Sequence, residues 1–264
     1  MRRFSADYLE RTREGLWEST DALADLSLDS RTRIVDVGCG SGEFTRVLAA
    51  ASDASVVGVD ADTALLAVAR ESSAAHFLAG DATRLPLRED AADLVACQAL
   101  LVNLPDPAAA VREFARVSAD LVAAVEPDNA GVAVESTVDA ESSLSATLRE
   151  AYLAGVETDV ALGEGVADLF REAGLSDVRT RRHYHEKRTE PPYDAAEIEG
   201  AKRKATGTVL TDHERELRRV LSDSEYDELK RKWRAMGREA AEQVSSGEYR
   251  RVEVVPFDVT VGRV

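Results

Sequence analysis

The segment Ile34-Val35-Asp36-Val37-Gly38-Cys39-Gly40-Ser41-Gly42 sets three glycines at alternate positions directly behind an apolar run. Glycines at that spacing let the backbone turn sharply and bring a ligand against the main chain and a helix amino terminus. A phosphate-binding P-loop is excluded, because no Gly-Lys-Ser/Thr follows the turn. The dinucleotide fingerprint also fits poorly. Gly38 and Gly40 have its first spacing, but Glu43 stands where its third glycine belongs, and a carboxylate there would face any pyrophosphate. Alone, the segment reads equally as a tight strand-to-helix loop.

Further residues fall at matching points downstream. Gly58-Val59-Asp60 ends a second apolar run, with Asp60 18 residues beyond Gly42, where a carboxylate can accept both hydroxyls of a ribose. Gly80-Asp81-Ala82 follows a third run, and Leu85-Pro86-Leu87 comes after it. A fourth run enters Cys97-Gln98-Ala99-Leu100-Leu101 and then Asn103-Leu104-Pro105-Asp106-Pro107.

The elements needed to align these tips are legible as alternation. Strands are predicted at 33–37, 55–60, 75–79, 92–97 and 121–126, with helices near 42–51, 63–71 and 105–117 between them. Single helices between strands imply right-handed crossovers and a mainly parallel sheet covered on both faces. Val37, Val57, Val59, Val95, Val122 and Val125 suit strands buried on both sides. In such sheets ligands bind at the carboxyl edge of the strands, where all the tips above would lie. A helix from Ser5 to about Leu26 is expected ahead of the sheet, with Phe4, Tyr8, Leu9, Leu16 and Trp17 at helical spacing.

Past Glu126 the pattern changes. Residues 128–138 read as loop or partial strand, followed by helices near 140–156 and 163–173, the latter capped by Gly174. A strand is predicted near 178–187, then helices near 195–204, 212–221 and 223–244. The last carries Tyr226, Leu229, Trp233, Met236 and Ala240 on one face, and a closing strand runs over 251–261. The expected organisation is one domain over 1–264. Within it, 1–30 form a helical lid, 31–187 a binding core, 188–250 a helical insert and 251–264 the final strand.

Composition limits the function classes. The 264 residues hold 49 Asp plus Glu against 33 Lys plus Arg, a net charge of −16, while 44% of residues are apolar. That apolar share argues against a disordered acidic chain, and the charge argues against a protein that coats nucleic acid. Cys39 and Cys97 cannot form a disulfide framework or a four-thiolate zinc site, and the sequence offers no metal centre. The charged amino end lacks a signal peptide's apolar stretch, and no run approaches a membrane span, so a cytoplasmic setting is expected.

Taken in order, these motifs resemble those of class I S-adenosylmethionine-dependent methyltransferases, of the small-molecule type that includes quinone-ring methyltransferases. The glycine motif matches Asp36–Gly42, the acidic ribose position Asp60, the Gly-Asp-Ala motif Gly80–Ala82 and the turn after the fourth strand Leu104–Pro107. The likeness covers about residues 30–126. It implies a Rossmann-like, doubly wound, seven-stranded, mostly parallel α/β sheet with helices on both faces and a helical insert between the last two strands. It also implies S-adenosyl-L-methionine as cofactor and a small-molecule acceptor. Asp36, Gly38, Cys39, Gly40 and Gly42 would form the loop side of the site. Asp60 with Ala61 would hold the ribose, Asp81 with Ala82 would flank the adenine, and Gln98 with Leu100 would line the sulfonium side. A cationic, phosphate-free ligand is helped by these carboxylates rather than repelled.

The acceptor side offers less. Where many members of the family carry a His after the fourth strand, this chain reads Leu101-Val102-Asn103-Leu104. Candidate catalytic groups are Glu126, at the tip of the fifth strand, His183 and Tyr8. For Glu126 a loop cap is the competing reading. For Tyr8 and Trp17 it is core packing, and for His183 with His185, which share a strand face, an exposed edge. Basic residues concentrate late, 20 against 23 acidic over 151–264 compared with 13 against 26 over 1–150. Either they pair along solvated helix faces or they guide an anionic acceptor. A cofactor-binding partner subunit without turnover, and RNA or protein methylation, remain alternatives; an Asn-Pro-Pro-Tyr signature is missing, and a homodimer is compatible. The carboxylate excess, with 5 Lys against 28 Arg, suggests a high-salt cytoplasm. Salt-dependent folding follows: circular dichroism should record loss of structure as KCl falls below molar concentration, and full stability in dilute buffer would refute it.

Overall fold

The computed structural model describes Trp17 and residues 20–264. Among these residues there are eight strands: β1 (Arg33–Val37), β2 (Ser55–Asp60), β3 (His76–Ala79), β4 (Ala92–Gln98), β5 (Ser118–Pro127), β6 (Ala133–Ser136), β7 (Ser176–Thr189) and β8 (Arg251–Arg263). The α-helices are α1 (Glu43–Ala50), α2 (Thr63–Ser72), α3 (Pro107–Val117), α4 (Asp139–Gly155), α5 (Val166–Glu172), α6 (Ala195–Thr206), α7 (Thr208–Asp212), α8 (Glu214–Leu217) and α9 (Asp223–Ser246). The chain divides into two compact units. One holds residues through 127 with 162–183 and 257–264; the other holds 128–161 and 184–256. The second thus gathers residues 128–161 as well as the segment expected as an insert.

In the first unit β1 to β5 are parallel in the order β3-β2-β1-β4-β5, and β8 joins β5 antiparallel and pairs in turn with β7. Successive residues feed opposite faces, as strand geometry requires. Leu94 and Ala96 join Ile34, Leu121, Ala123, Phe44 and Leu48 on one side, whereas Val95 and Cys97 join Val35, Val37, Val122, Phe114 and Phe170 on the other. Each buried Val or Leu contributes about 1.5–3 kcal/mol. The helices start where side chains satisfy their first N–H groups: Asp62 accepts from Ala64 N at 2.9 Å, and Asp106 from Ala109 N at 2.9 Å with Pro107 next in line. That cap moves the start of α3 from the expected 105 to 107.

Arg31 fastens the opposite edge of the sheet. Only 7% exposed, its guanidinium donates to the Leu26 carbonyl at 2.9 Å, the Asp93 carbonyl at 3.1 Å and Asp120 Oδ2 at 2.6 Å.

The second unit contains β6, the residues of β7 from 184 and of β8 to 256, α4 and α6 to α9. The apolar face expected on α9 is buried, with Tyr226, Leu229, Trp233, Met236 and Ala240 packed among Val138, Leu148, Leu210 and Leu217. At Gly237 a Cβ would lie 2.2 Å from the Lys204 carbonyl carbon, so glycine is what lets α9 approach α6. A polar knot closes this core. Glu141, fully buried, accepts from Lys204 Nζ at 2.5 Å, Ser136 Oγ at 2.6 Å, Tyr249 Oη at 2.8 Å and Arg251 Nε at 3.1 Å. Burial pushes its carboxyl up, but Lys204, Ser136 and Arg251 outweigh that and hold it below the usual carboxylate range.

Several expectations are corrected. Where the helix expected over 5–26 was to end, Asp21–Leu26 is a 3-10 turn, whose buried Leu23 and Leu26 are three residues apart; Ser27, with φ of 53°, stops that turn. The rest of the expected span, apart from Trp17 and Thr20, lies outside the described residues. Residues 212–221 form no single helix, because α7 and α8 break at His213. The partial-strand reading of 128–138 holds: β6 forms there and pairs antiparallel with β8, Ala133 opposite Val254, an eighth strand beside the seven expected, since β8 is long enough to bond β5 with one half and β6 with the other.

Replacing Glu141 by Ala should lower stability by about 3 kcal/mol in urea denaturation, because Lys204 and Arg251 would be left buried without their shared carboxylate. The contribution of Glu141 is present above the unfolded carboxylate pKa and is lost as pH falls through its depressed folded value. The variant should therefore narrow its deficit in acid.

Candidate functional site

Between β1 and β4 the strand order reverses, since β2 follows β1 on one side and β4 lies on the other. Crevices at the carboxyl ends of strands at such a switch point bind ligands. Register puts the tips level: Val37 is opposite both Val59 and Cys97, Asp60 is opposite Ala79, and Gln98 is opposite Val125.

The glycine turn departs from the tip of β1. Gly38 N and Cys39 N both donate to the Val59 carbonyl, at 2.7 and 3.1 Å, and Gly40 N donates to Asp60 Oδ2 at 2.8 Å. Gly38, Gly40 and Gly42 have φ of 73°, 55° and 81°, a region costly to residues with a Cβ. At Gly38 space is a second constraint, because a Cβ would come within 2.7 Å of Leu100 Cδ1. Cys39 is buried against Leu66, Ala69 and Phe77. Asp36 is fully buried and accepts from Thr45 Oγ1 at 2.6 Å, which ties the tip of β1 to α1.

Asp60 is half-buried and uses both oxygens, Oδ2 on Gly40 N and Oδ1 on Asp62 N at 2.8 Å. Carboxylate oxygens keep further lone pairs, so hydroxyl donors can still be accepted. Ala61 is exposed beside it. Asp81 is exposed and forms a local turn, accepting from Thr83 Oγ1 and Thr83 N, and these bonds hold its carboxyl below the usual range. Ala82 packs on the edge of the core. Gln98, 3% exposed at the tip of β4, has an Oε1 with no partner among the described residues. Ala99 next to it has φ of 49°, unusual for a residue with a side chain.

The catalytic candidates fare differently. Tyr8 lies outside the described residues. Glu126 is fully buried and caps a loop: Oε1 accepts from Leu100 N at 3.0 Å and Leu101 N at 2.9 Å, and Oε2 from Val102 N at 3.3 Å. Main-chain N–H groups engage both oxygens, which is the loop-cap arrangement that competed with acceptor contact in the sequence. His183 lies on β7, which among the described strands pairs only with β8, and is half-buried there, stacking on Phe257 with centroids 5.5 Å apart. Trp17 stacks on Phe44 at 5.2 Å, as core packing requires. The described residues hold no group of three or more His, Cys, Asp or Glu placed to bind a metal ion.

Many late basic residues have local partners. Arg182 grips Asp258 through Nε at 2.9 Å and Nη2 at 2.8 Å, Arg218 pairs with Glu214 and Asp223, and Lys232 pairs with Glu228. Sequence reasoning missed Thr45 and Phe77. Thr45 gave no signal, because its role depends on α1 turning back over Asp36. Phe77 lies under Gly58, where a Cβ would stand 2.7 Å from its ring, and that aromatic–glycine pairing across β2 and β3 emerges only from register.

Comparison with known proteins agrees with this geometry. Residues 35–120 match the family model described as a methyltransferase domain. Trans-aconitate 2-methyltransferase of Variovorax paradoxus is 37% identical over 124 residues, 46% of each chain. Demethylmenaquinone methyltransferase of Lactiplantibacillus plantarum is 33% identical over 104 residues, 36% of this chain and 44% of that one. The matched segment thus spans just under half the length of these curated relatives. In fold, a Bacillus halodurans protein solved as a candidate methyltransferase superposes with a TM-score of 0.53 at 17% identity, covering 93% of this chain and 99% of that one. The YcgJ protein of Bacillus subtilis does so at 0.51 and 15%, covering 90% and 96%. No described helix is long and apolar enough to cross a membrane. The segment 35–120, which holds the glycine turn and the strands of the switch point, is thus the part of the protein that is similar to a methyltransferase domain.

Proposed function

We propose that the protein transfers a methyl group from S-adenosylmethionine to a small or medium-sized organic acceptor. The observation that carries this reading is the glycine turn at the sheet's switch point, bonded through Gly40 N to the carboxylate that ends β2. Its surroundings suit a phosphate-free cation. Asp36, Asp60 and Asp81 stand at the strand tips, and the unpartnered Oε1 of Gln98 is an acceptor waiting for a donor such as an ammonium or hydroxyl. When bound, the cofactor supplies an electrophilic methyl on sulfur.

Asp60 would accept from the ribose and Gln98 from the amino-acid end. Gly38 and Gly40 would admit the ligand to the main chain, with Leu100 excluding water beside them. In-line displacement at a methyl runs on proximity and desolvation, so a side-chain base is needed only where the acceptor must lose a proton. With Glu126 held by its loop and His183 stacked on Phe257, a base-free transfer is the simpler mechanism. The relatives' names, methyltransferases of trans-aconitate and of demethylmenaquinone, support a small organic acceptor. The net charge of −16 disfavours nucleic acid as acceptor.

Titration calorimetry should detect adenosylmethionine and not NAD. Asp60→Ala should weaken binding tenfold or more, about 1.4 kcal/mol, and Gly38→Val should abolish detectable binding by displacing Leu100. Isotopic methyl transfer into a cell extract should label a small molecule; cofactor binding without transfer would instead identify a non-catalytic partner subunit.

A further inference from the structure

We infer that Glu126 is a positioning residue for donor binding: its carboxylate fixes the turn at 98–102 and, through Leu100, the floor of the glycine loop at Gly38. The inference rests on the methyl-donor reading above and assigns a task to a residue outside the loop that meets the donor.

The N–H groups of Leu100, Leu101 and Val102 converge on one carboxylate, at 3.0, 2.9 and 3.3 Å. Three consecutive donors aimed at one point form an anion nest, and buried donors left without an acceptor would cost free energy. Ala99, at the start of that turn, holds a left-handed φ of 49°. A strained residue persists only where its surroundings over-determine it, and here Ala99 N donates to the Val125 carbonyl while Asn103 Nδ2 donates to the Ala99 carbonyl, both at 2.8 Å. The turn therefore has one conformation, which buries Leu100 so tightly against Gly38 that a single added Cβ would collide with it. The same turn leaves Gln98 Oε1 buried and unpartnered. From the tip of β5 through the tip of β4 to the glycine loop, every link is a bond or a van der Waals contact within one unit.

The groups facing Glu126 can be named. Cys97 Sγ lies 3.6 Å away, a thiol whose ionisation is suppressed first by burial and then by Glu126 and Asp36. Across the strand pair its register partner is Asp258, already gripped by Arg182. Burial pushes the Glu126 carboxyl up to about 7, although the three N–H groups oppose the shift. Ionised, it accepts all three donors; protonated, it turns a hydrogen into the nest. Donor affinity should therefore rise with pH through about 7. Global stability has the opposite sign. Because the folded pKa is raised, the contribution of Glu126 is fully present below the unfolded value near 4.5 and is lost as pH rises through about 7. A merely structural carboxylate would give only the second trend.

Adenosylhomocysteine binding measured by calorimetry between pH 5.5 and 8.5, with thermal melting alongside, tests this on the wild type, Glu126→Gln, Glu126→Asp and Leu100→Ala. Wild-type affinity should increase about tenfold over that range. Glu126→Gln should bind about tenfold more weakly at pH 8.5 and lose the pH dependence, and Glu126→Asp should recover part of both. If Glu126→Gln fails to fold, Leu100→Ala carries the test, with weaker binding that still depends on pH. A folded Glu126→Gln with wild-type affinity and pH profile, or a flat wild-type profile, overturns the inference and leaves the donor reading standing. Wild-type protein that binds no adenosylhomocysteine at any pH overturns the donor reading itself.

Discussion

Two acceptors at the end of β2 hold the glycine turn in place. The Val59 carbonyl takes the N–H groups of Gly38 and Cys39, and the Asp60 carboxylate takes that of Gly40. A loop of three glycines has high conformational entropy in the unfolded chain, so these bonds, together with the packing of Leu100 at Gly38, select its shape. Only a parallel neighbour ending at the same level can supply them, which makes the register of β1 against β2 the condition on which the site depends.

Behind that edge the two faces of the sheet do separate work. One face carries α3 and α5 on Val35, Val95 and Val122; the other carries α1 and the 21–26 turn on Ile34, Leu94 and Ala123. Both layers are apolar throughout, so the polar groups that remain buried stand out. At the amino-terminal edge Arg31 joins Asp120 and Asp93 and secures the sheet where no ligand is expected. At the carboxyl edge the buried polar groups, Asp36, Gln98 and Glu126, cluster beside the glycine turn. Carboxylates sunk in an apolar sheet persist because main-chain or hydroxyl donors are aimed at them, as Thr45 is at Asp36 and Leu101 at Glu126.

The second unit solves its core problem differently. Its helices pack through one apolar stripe on α9 and a glycine contact at Gly237, and it accepts a buried ionic knot around Glu141. Replacing such a knot by apolar residues often costs nothing, whereas removing one member costs a great deal, so its value lies in specifying which of several similar helix packings forms. Lys204, Tyr249, Arg251 and Ser136 come from four separate elements or loops, and a single carboxylate brings them into one arrangement.

The sequence by itself determined the parallel strands, their crossover helices and the glycine turn with Asp60 at a shared edge. Those features depend on local periodicity, on glycine's tolerance of positive φ and on short-range caps such as Asp62 and Asp106. It also located the buried face of α9 from spacing alone. The pairing of β6 with β8, the break at His213 and the 3-10 turn at 21–26 were decided by tertiary structure, because each depends on what an element lies against rather than on its own pattern. The role of Glu126 belongs with these. A carboxylate at the end of an apolar strand reads as a loop cap or an acceptor contact alike until the fold aims three N–H groups from residues 100–102 at it, and that convergence joins segments about 25 residues apart in the chain.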